Sequence, residues 1–360
     1  MREYIDQEVL EDLAVGATVL GTGGGGDPYL GKLMARQAIE TYGPVRLIQV
    51  EDLLEEGLVL PVAMMGAPTV LVEKVPNGAE LKRVVDAVET RLGRRAAALM
   101  SVEAGGINST IPIVAAAELG LPLLDADGMG RAFPEIPQCS MSVRGISATP
   151  MALADEKGNL ELLETVDNTW TERLSRTATV AMGGSSIIAL YPMTVQEAAA
   201  SVIPKTMSQA VNIGETIRTA RPRGLGALDA LLELTSGRLL FGGKVVDVMR
   251  RTVEGFARGT AKVEGIGDDL GSSLELEFQN EHLVALRDGE PVASVPDLIT
   301  VLDADTHAPV TTEGISYGQR VEVIGMPCPS IWREPEALEV VGPGYFGYPF
   351  EYSPLEEVRT

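Results

Sequence analysis

The sequence contains few of the residues that build disulfide scaffolds and metal centres. Among 360 residues it has two cysteines, Cys139 and Cys328, which lie far apart, and two histidines, His282 and His307. A disulfide framework, a thiolate zinc site and a histidine-dominated zinc site are therefore not expected. The G-x-S-x-G motif is also absent, so nothing favours a serine-hydrolase triad. Aromatic residues make up only 4% of the chain, so aliphatic side chains and methionine must fill the core.

Positive charge is scarce as well. The chain has 29 Lys and Arg residues against 51 Asp and Glu residues, which gives a formal net charge of −22. Nucleic-acid binding needs a basic surface for the phosphate backbone, so this class of function is disfavoured, as is binding to anionic membranes. A small uncharged, zwitterionic or cationic substrate fits this charge best. We expect a small-molecule substrate, with neither a nucleic acid nor a membrane as partner.

Long apolar runs are also missing. The longest uncharged stretch, residues 177–196, contains Gly183, Gly184 and Pro192, which divide it into a helix, a turn and a strand. Its apolar content is too low for a membrane-spanning helix. The first twelve residues, MREYIDQEVLED, are polar and acidic, so no signal peptide is predicted. These features predict a cytoplasmic protein.

Apolar runs alternate with helical patterns in the first half of the chain. The runs that are predicted to be strands are residues 45–50, 58–65, 95–102 and 121–126. They are nearly continuously apolar, which is typical of strands that are buried on both faces. Because helical patterns separate them, the sequence predicts an α/β domain with a mostly parallel sheet flanked by helices.

The pattern changes in the second half. Residues 139–147 (CSMSVRGIS), and the pair of apolar segments around the turn at 157–159, are predicted to be antiparallel strands. Beyond the linker-like RPRGLG (221–226), the strict alternation of LELEFQ (274–279) indicates β-structure. We therefore predict three parts: an α/β domain that carries the site (1–167), a helical connecting segment (168–221) and a β-rich C-terminal domain (222–360).

Polar segments follow the apolar runs of the first half, beginning with the run that ends at residue 20. Ligands of open parallel sheets bind beyond the carboxyl ends of the strands. Three of these segments are rich in glycine and acidic residues: GTGGGGDP (21–28), EAGGINS (103–109) and DGMGRAFPE (127–135). Glycines allow the backbone to approach a ligand closely, and polar side chains then fix its orientation. We therefore expect one cleft that contains Asp27, Glu103, Asp127 and Arg131.

Each of these charged residues has a chemical and a structural interpretation. Glu103 and Asp127 are candidates for a general base or acid, and Arg131 is a candidate to stabilise an oxyanion. Together with Asp27, the two acids could also hold a divalent metal ion, so metal dependence stays open and no cofactor is assigned. Structurally, a strand-end acid can cap a loop, and Arg131 can form an ion pair with Glu135.

The glycine-rich loop has two further interpretations. Gly21, Gly23 and Gly26 match the G-x-G-x-x-G pattern, and an acid, Glu51, follows the next strand. However, the dinucleotide-binding fingerprint requires a strand directly before the glycines, whereas the preceding residues fit a helix equally well. Asp27 would also place a negative charge where the pyrophosphate binds. A tight chain reversal or a turn that holds a small ligand is therefore favoured over nucleotide binding.

Four segments together resemble the S-methyl-thiohydantoin desulfurase family: LGTGGGGDPYLG (20–31), EAGGINS (103–109), DADGMGRAFPEIP (125–137) and WREPEALEVVGPGYFGYPFEYSP (332–354). The motifs are long, and the resemblance extends over nearly the whole chain. It implies an N-terminal α/β domain and a distinct C-terminal domain, with the boundary in the range 165–225. It also implies hydantoin-like cyclic ureides or imides as substrates, and genes of this family often neighbour those of hydantoinases and oxoprolinases.

The resemblance also assigns site residues. The family's motif positions map onto Gly23, Gly24, Gly25, Gly26, Asp27, Glu103, Asn108, Asp127, Gly128, Arg131 and Glu135. We predict catalytic roles for Glu103, Asp127 and Arg131, and substrate binding by the others.

The leading hypothesis is a hydrolase in which a carboxylate activates water for attack on the ring C=O or C–S carbon. The first alternative is a non-catalytic ligand-binding or assembly subunit that works beside a hydantoinase- or oxoprolinase-type protein. The second is a nucleotide-binding protein that uses the glycine-rich loop. We also expect the chain to form a homo-oligomer.

Overall fold

The fold was analysed in a computed structural model of the chain. The structure describes residues 2–26, 28–54, 56–66, 70, 78–220, 226–253 and 256–358, with the side chains of 252 and 253 left out. The described helices are α1 (Leu10–Leu20), α2 (Pro28–Tyr42), α3 (Glu80–Leu92), α4 (Ile111–Leu119), α5 (Ser140–Val143), α6 (Asn168–Ala181), α7 (Val195–Ser201), α8 (Thr206–Ala220), α9 (Ala227–Thr235) and α10 (Pro335–Val341).

The strands belong to two large sheets and one small one. In the first half of the chain they are β1 (Tyr4–Ile5), β2 (Val45–Ile48), β3 (Leu58–Gly66), β4 (Ala96–Ser101), β5 (Leu123–Leu124), β6 (Ala126–Asp127), β7 (Met151–Ala154), β8 (Leu160–Leu163), β9 (Ser185–Ala189), β10 (Met193–Thr194) and β11 (Ile203–Pro204). The remaining strands are β12 (Arg238–Val253), β13 (Phe256–Gly265), β14 (Ser273–Gln279), β15 (Glu281–Arg287), β16 (Glu290–Ser294), β17 (Leu298–Asp303), β18 (Pro309–Val310) and β19 (Arg320–Met326).

The N-terminal sheet has the strand order β1-β2-β5-β4-β3-β9-β7-β8, and its centre is parallel. Strands β2, β5, β4 and β3 run in the same direction, while β1, β9, β7 and β8 pair antiparallel at the two sides. The predicted strand positions and the mostly parallel arrangement of this region are confirmed. The hairpin predicted around residues 157–159 is also confirmed as β7 and β8.

Helices cover both faces of this sheet, as predicted. Alternate residues of β3 belong to two different cores, with Val59 and Ala63 in one and Leu60 and Val62 in the other. Helices α3 and α4 pack into the second core, and α7 and α9 pack into the first. A strand that is buried on both faces must be apolar at successive positions, which explains the uninterrupted sequence LVLPVAMM.

Two local predictions differ from the structure. Residues 139–147 are not a strand, because Ser140–Val143 form helix α5, which follows an extended Cys139. The Ser140 N–H donates to Gly128 O at 2.7 Å, and the Asn168 amide donates to Ser142 Oγ at 3.0 Å, so contacts distant in sequence override the alternating pattern. The segment predicted as a helical connection, 168–221, also supplies β9, which lies between β3 and β7 in the N-terminal sheet.

The C-terminal region is β-rich, as predicted. Its eight strands form one antiparallel sheet in the order β16-β15-β14-β13-β12-β19-β17-β18. The turn between β15 and β16 has positive φ at both Asp288 (51°) and Gly289 (92°), which matches the twist of a two-residue hairpin. Within the described residues, none of the helices combines the length and apolar character that crossing a bilayer requires.

The two sheets meet at the glycine-rich loop. This loop, residues 21–26, connects α1 to α2 and contacts the C-terminal sheet through its backbone. The His282 N–H donates to Thr22 O at 2.8 Å, and the Thr312 N–H donates to Gly23 O at 2.8 Å. Thr300 Oγ1 also donates to Val19 O at 2.7 Å near the end of α1. The loop therefore fixes the position of β15 relative to the carboxyl ends of the parallel strands.

Candidate active site

A cleft opens where the carboxyl ends of β3 and β4 meet the C-terminal sheet. Its apolar lining consists of Ala63, Met64, Met65, Val102, Met129, Phe133, Pro134, Ile136, Ile188 and Leu190. Its polar and glycine lining consists of Gly25, Gly66, Glu103, Asn108, Glu135, Arg176, Asn280 and Glu281. Mostly apolar walls with a few convergent polar groups are typical of small-molecule sites. The cleft lies where the rule for parallel sheets places a ligand.

Glu103 lies two residues beyond the end of β4, and it lines this cleft while only 7% exposed. Its Oε1 accepts a hydrogen bond from the Asn108 amide at 2.7 Å, and the Phe133 backbone N–H also donates to the carboxylate. Burial raises the pKa of Glu103 to about 7, although these two hydrogen bonds and the charge of Arg131 act in the opposite direction. Glu103 therefore exchanges a proton near neutral pH, which is the property that a general base requires.

Asn108 fixes the orientation of the Glu103 carboxylate. It lies on a short 3₁₀ helix, Gly106–Ser109, and its side chain is clamped to the backbone of β3. The Met64 N–H donates to Asn108 Oδ1 at 2.8 Å, and the Asn108 amide donates to Met64 O at 3.1 Å. These bonds determine which end of the amide faces Glu103. Asn108 lines the cleft, and its amide hydrogens are directed to protein acceptors.

Asp127 lies close to this site but does not line the cleft. It is fully buried, and its carboxylate accepts hydrogen bonds from the Gly130 N–H at 2.9 and 3.0 Å and from the backbone N–H groups of Ala104 and Met129. Burial raises the pKa of Asp127 to about 8 in spite of these bonds. The contacts join the loop after β6 to the loop after β4. This matches the structural interpretation of a strand-end acid.

Arg131 also lies behind the cleft wall rather than in it. It is fully buried, and its guanidinium stacks on Phe133 with 4.6 Å between the Cζ atom and the ring centroid. All five N–H donors have protein acceptors, which are the carbonyl oxygens of Ala132, Pro296, Asp297 and His282 and the hydroxyl of Thr22. Arg131 thus joins the N-terminal loops to the C-terminal sheet. Glu135 instead accepts a hydrogen bond from the Tyr345 hydroxyl at 2.7 Å.

The glycine-rich loop mainly packs against protein. Of its described glycines only Gly25 lines the cleft. A Cβ atom at Gly24 would lie 2.0 Å from Glu281 Oε1, and one at Gly25 (φ +74°) would lie 2.6 Å from the carbonyl carbon of Gly105. The loop is therefore a tight reversal that brings three backbone segments together. Helix α1 precedes it, so the strand required by the dinucleotide fingerprint does not occupy that position.

Among the remaining predicted site residues, Gly23 and Gly128 serve close packing, and Asp27 is not described by the structure. A Cβ atom at Gly23 would lie 2.8 Å from His282 Cδ2, and one at Gly128 would lie 2.6 Å from Met141 Cε, so both glycines permit close packing. The predicted metal site of Asp27, Glu103 and Asp127 therefore lies partly outside the described residues. Among the residues that the structure describes, no cluster of three His, Cys, Asp or Glu side chains is arranged to hold a metal ion.

Sequence reasoning missed one of the three acids in the cleft, whose lining also contains Glu103 and Glu135. Glu281, the first residue of β15, is 3% exposed and lines the same cleft as Glu103. Arg176 of α6 was missed as well; it forms an ion pair with Glu172 and lies 4.4 Å from the ring centroid of Phe256. Nothing in the sequence near either residue indicates this position, because both reach the cleft only through the packing of distant segments.

Comparisons with known proteins agree with this architecture. Residues 8–165 match the family model described as "S-Me-THD-like, N-terminal domain", and residues 166–355 match "S-Me-THD-like, C-terminal domain". The chain belongs to the S-methyl-thiohydantoin desulfurase-like family. The two matched domains of this family together cover nearly the whole chain, as the sequence motifs predicted.

One solved structure illustrates the fold of the S-methyl-thiohydantoin desulfurase-like chain. A protein from Chromobacterium violaceum, whose crystal structure was determined by a structural genomics consortium, superimposes with a TM-score of 0.79 at 24% sequence identity. The match covers 98% of this chain and 99% of that protein. At this identity the likeness shows the fold alone. A search of curated proteins gave no match.

Proposed function

We propose that this protein is a hydrolase of hydantoin-like cyclic ureides and that S-methyl-thiohydantoin belongs to its substrate class. The observation that carries the proposal is Glu103, a buried cleft acid with a pKa of about 7. Mostly apolar cleft walls suit a small uncharged ring, and the family membership supports the thiohydantoin class. Base catalysis by a carboxylate then provides the chemistry.

The proposed reaction consumes one water molecule. The Glu103 carboxylate accepts a proton from water, the water oxygen bonds to the ring carbon that carries sulfur, and the C=N electron pair moves to the ring nitrogen. The pair then returns to the C=N bond as the C–S bond breaks, and methanethiolate leaves and takes up a proton. The remaining hydroxyl proton moves from the new oxygen to the ring nitrogen, which gives the C=O group. The products are hydantoin and methanethiol. Attack on a ring C=O carbon would instead open the ring, so the products distinguish the two routes.

Arg131 has no direct catalytic step in this proposal. Its five donors are bound by protein acceptors, and a guanidinium with no remaining donor cannot bind an oxyanion without breaking one of these bonds. Glu103 is assigned as the base in preference to Asp127, because only Glu103 lines the cleft. Asp127 is the next candidate if Glu103 proves dispensable.

The first experiment is a turnover screen of the purified protein. S-Methyl-thiohydantoins and hydantoins are incubated with it, and methanethiol is measured with a thiol reagent while ring products are separated by chromatography. We expect methanethiol and hydantoin in equal amounts. Binding measured by calorimetry without turnover of any compound would support the alternative, a non-catalytic ligand-binding or assembly subunit.

We expect kcat/KM to increase with pH up to neutrality. Because the pKa of Glu103 is raised to about 7, its base form dominates only above that pH. We expect kcat/KM to rise about tenfold per pH unit below pH 7 and to level off above it. The profile is measured with S-methyl-thiohydantoin over a pH range in which the melting temperature stays constant. A rate that is independent of pH from about 5 to 8 would contradict Glu103 as the base.

A further inference from the structure

We propose that Glu281, contributed by the C-terminal sheet, is a second catalytic residue and donates the proton to the departing sulfur atom. This inference rests on the proposed hydrolase function. It makes the active site a composite of the two domains, with the base on the loop after β4 and the acid at the start of β15.

The position of Glu281 is determined by the backbone on both sides of it. Asn280 has a positive φ of 58°, and its N–H donates to Ala257 O at 2.7 Å. On the other side, the His282 N–H donates to Thr22 O of the glycine-rich loop. The Glu281 side chain then occupies the space that a Cβ atom at Gly24 would fill. A glycine at position 24 is therefore required for this carboxyl group to enter the cleft wall.

One oxygen atom of the Glu281 carboxyl group lacks a hydrogen bond to the protein. Its Oε2 is buried and has no hydrogen-bond partner among the described residues. A buried polar group without a partner costs about 1–3 kcal/mol, so such groups are uncommon unless a ligand completes them. Since Glu281 lines the cleft, a substrate bound there could complete the hydrogen bonding of Oε2.

The surroundings shift the pKa of two of the three cleft acids, Glu281 and Glu103. Burial raises the pKa of Glu281 well above its ordinary value, the neighbouring Glu103 raises it further, and Arg131 acts in the opposite direction. Burial therefore favours the protonated form of Glu281, whereas the pKa of Glu103 is about 7. A carboxyl group whose protonated form is favoured can act as an acid beside a carboxylate that acts as a base.

The proton balance closes over one cycle. Glu103 takes a proton from the attacking water, and Glu281 gives one to sulfur as the C–S bond breaks, so that methanethiol leaves as a neutral molecule. Glu281 is then a carboxylate and Glu103 a carboxylic acid. Transfer of one proton from Glu103 to Glu281, directly or through solvent, restores both groups. The net reaction remains ring–SCH₃ plus water to ring C=O plus methanethiol.

The test compares leaving groups of different basicity in Glu281→Gln. Methanethiolate is a basic leaving group that needs a proton, whereas 4-nitrothiophenolate leaves without one. For the S-methyl compound we expect kcat to fall on the order of 10²–10⁴-fold, and for the S-(4-nitrophenyl) compound less than about tenfold. Retained turnover of the second compound also shows that the variant is folded. Glu277→Gln is the matched control, since Glu277 lies on β14, outside the cleft lining, and binds the Tyr348 hydroxyl.

Two results would overturn the role of Glu281. If Glu281→Gln lost the same factor with both leaving groups, the residue would be structural. If it kept more than about a tenth of the S-methyl rate, another group would donate the proton. If the proposed hydrolase function itself were wrong, the wild-type protein would release neither methanethiol nor 4-nitrothiophenol. This result differs from both outcomes above.

Discussion

Replacement of Glu103 by glutamine is expected to lower kcat for S-methyl-thiohydantoin on the order of 10²–10⁴-fold. Glutamine has nearly the same shape, and its Oε1 can still accept the hydrogen bond that Asn108 donates to Glu103. It cannot accept a proton from water at neutral pH. Ligand binding should change little, so the loss should appear in kcat rather than in the dissociation constant measured by calorimetry. Retention of more than about a tenth of the rate would place the base elsewhere, with Asp127 the first alternative.

The same substitution should not destabilise the protein at alkaline pH. The pKa of Glu103 is raised from 4.5 to about 7 in the folded state, so the folded protein binds more protons than the unfolded chain between these values. Ionisation of Glu103 therefore costs stability progressively as the pH rises from 4.5 to 7. Glutamine removes this cost, and Glu103→Gln should gain about 1–3 kcal/mol at pH 8 relative to its effect at pH 4.

Urea denaturation at the two pH values measures this difference. Glu277→Gln, on the hairpin that leads to β15, is the control for the replacement of a glutamate by glutamine outside the cleft. A catalytic residue that weakens the fold is the expected signature of a site selected for chemistry. Loss of both stability and activity at every pH would instead identify Glu103 as a structural residue.

Replacement of Arg131 by methionine is expected to reduce the free energy of unfolding by about 3–5 kcal/mol, the cost of breaking a buried charged network. The substitution leaves four buried carbonyl oxygens and the Thr22 hydroxyl without this donor. These acceptors belong to both domains. We therefore expect the substitution to weaken the association of the two domains before either domain unfolds. The fluorescence of Trp332, which is buried against Phe133, can monitor the transition in urea.

Arg2→Met is the matched control for Arg131. Arg2 forms an exposed ion pair with Glu215 at 2.9 Å. Exposed ion pairs contribute little to the free energy of unfolding, so the urea-unfolding midpoint of Arg2→Met should equal that of the wild type. Should Arg131→Met keep the wild-type midpoint but lose turnover, the original prediction of an oxyanion-stabilising arginine would be supported. The assignment of Arg131 as a link between the domains would then be wrong.

The local pattern of apolar residues was sufficient to predict many strands and helices of the N-terminal domain. The strands of the parallel sheet are short buried runs, and the helix at Glu80–Leu92 coincides with the apolar periodicity of ELKRVVDAVETRL. Since the carboxyl ends of parallel strands lie at one edge, the same reasoning led to Glu103 and Asn108. Both line the cleft. These predictions depend on residues that are close in sequence or on a general rule for sheets.

Long-range contacts explain what the sequence did not reveal. Arg131 looked like a catalytic, oxyanion-stabilising residue, but its acceptors include Asp297, 166 positions away, and His282, 151 positions away. Glu281 reaches the cleft only because the glycine-rich loop contacts β15. No periodicity or motif near either residue encodes these contacts. For the same reason the glycine loop looked like a ligand cradle, although a Cβ atom at Gly23, Gly24 or Gly25 would lie 2.8, 2.0 or 2.6 Å from other parts of the protein.

Isotope transfer tests the central claim most directly. Wild-type protein and Glu103→Gln are incubated with S-methyl-thiohydantoin in H₂¹⁸O, and the ring product is analysed by mass spectrometry while methanethiol is quantified. We expect one ¹⁸O atom in the new carbonyl group for each methanethiol released by the wild type, and almost no product with Glu103→Gln. Hydantoin without ¹⁸O, or equal product from both proteins, would contradict water activation by Glu103 in this cleft.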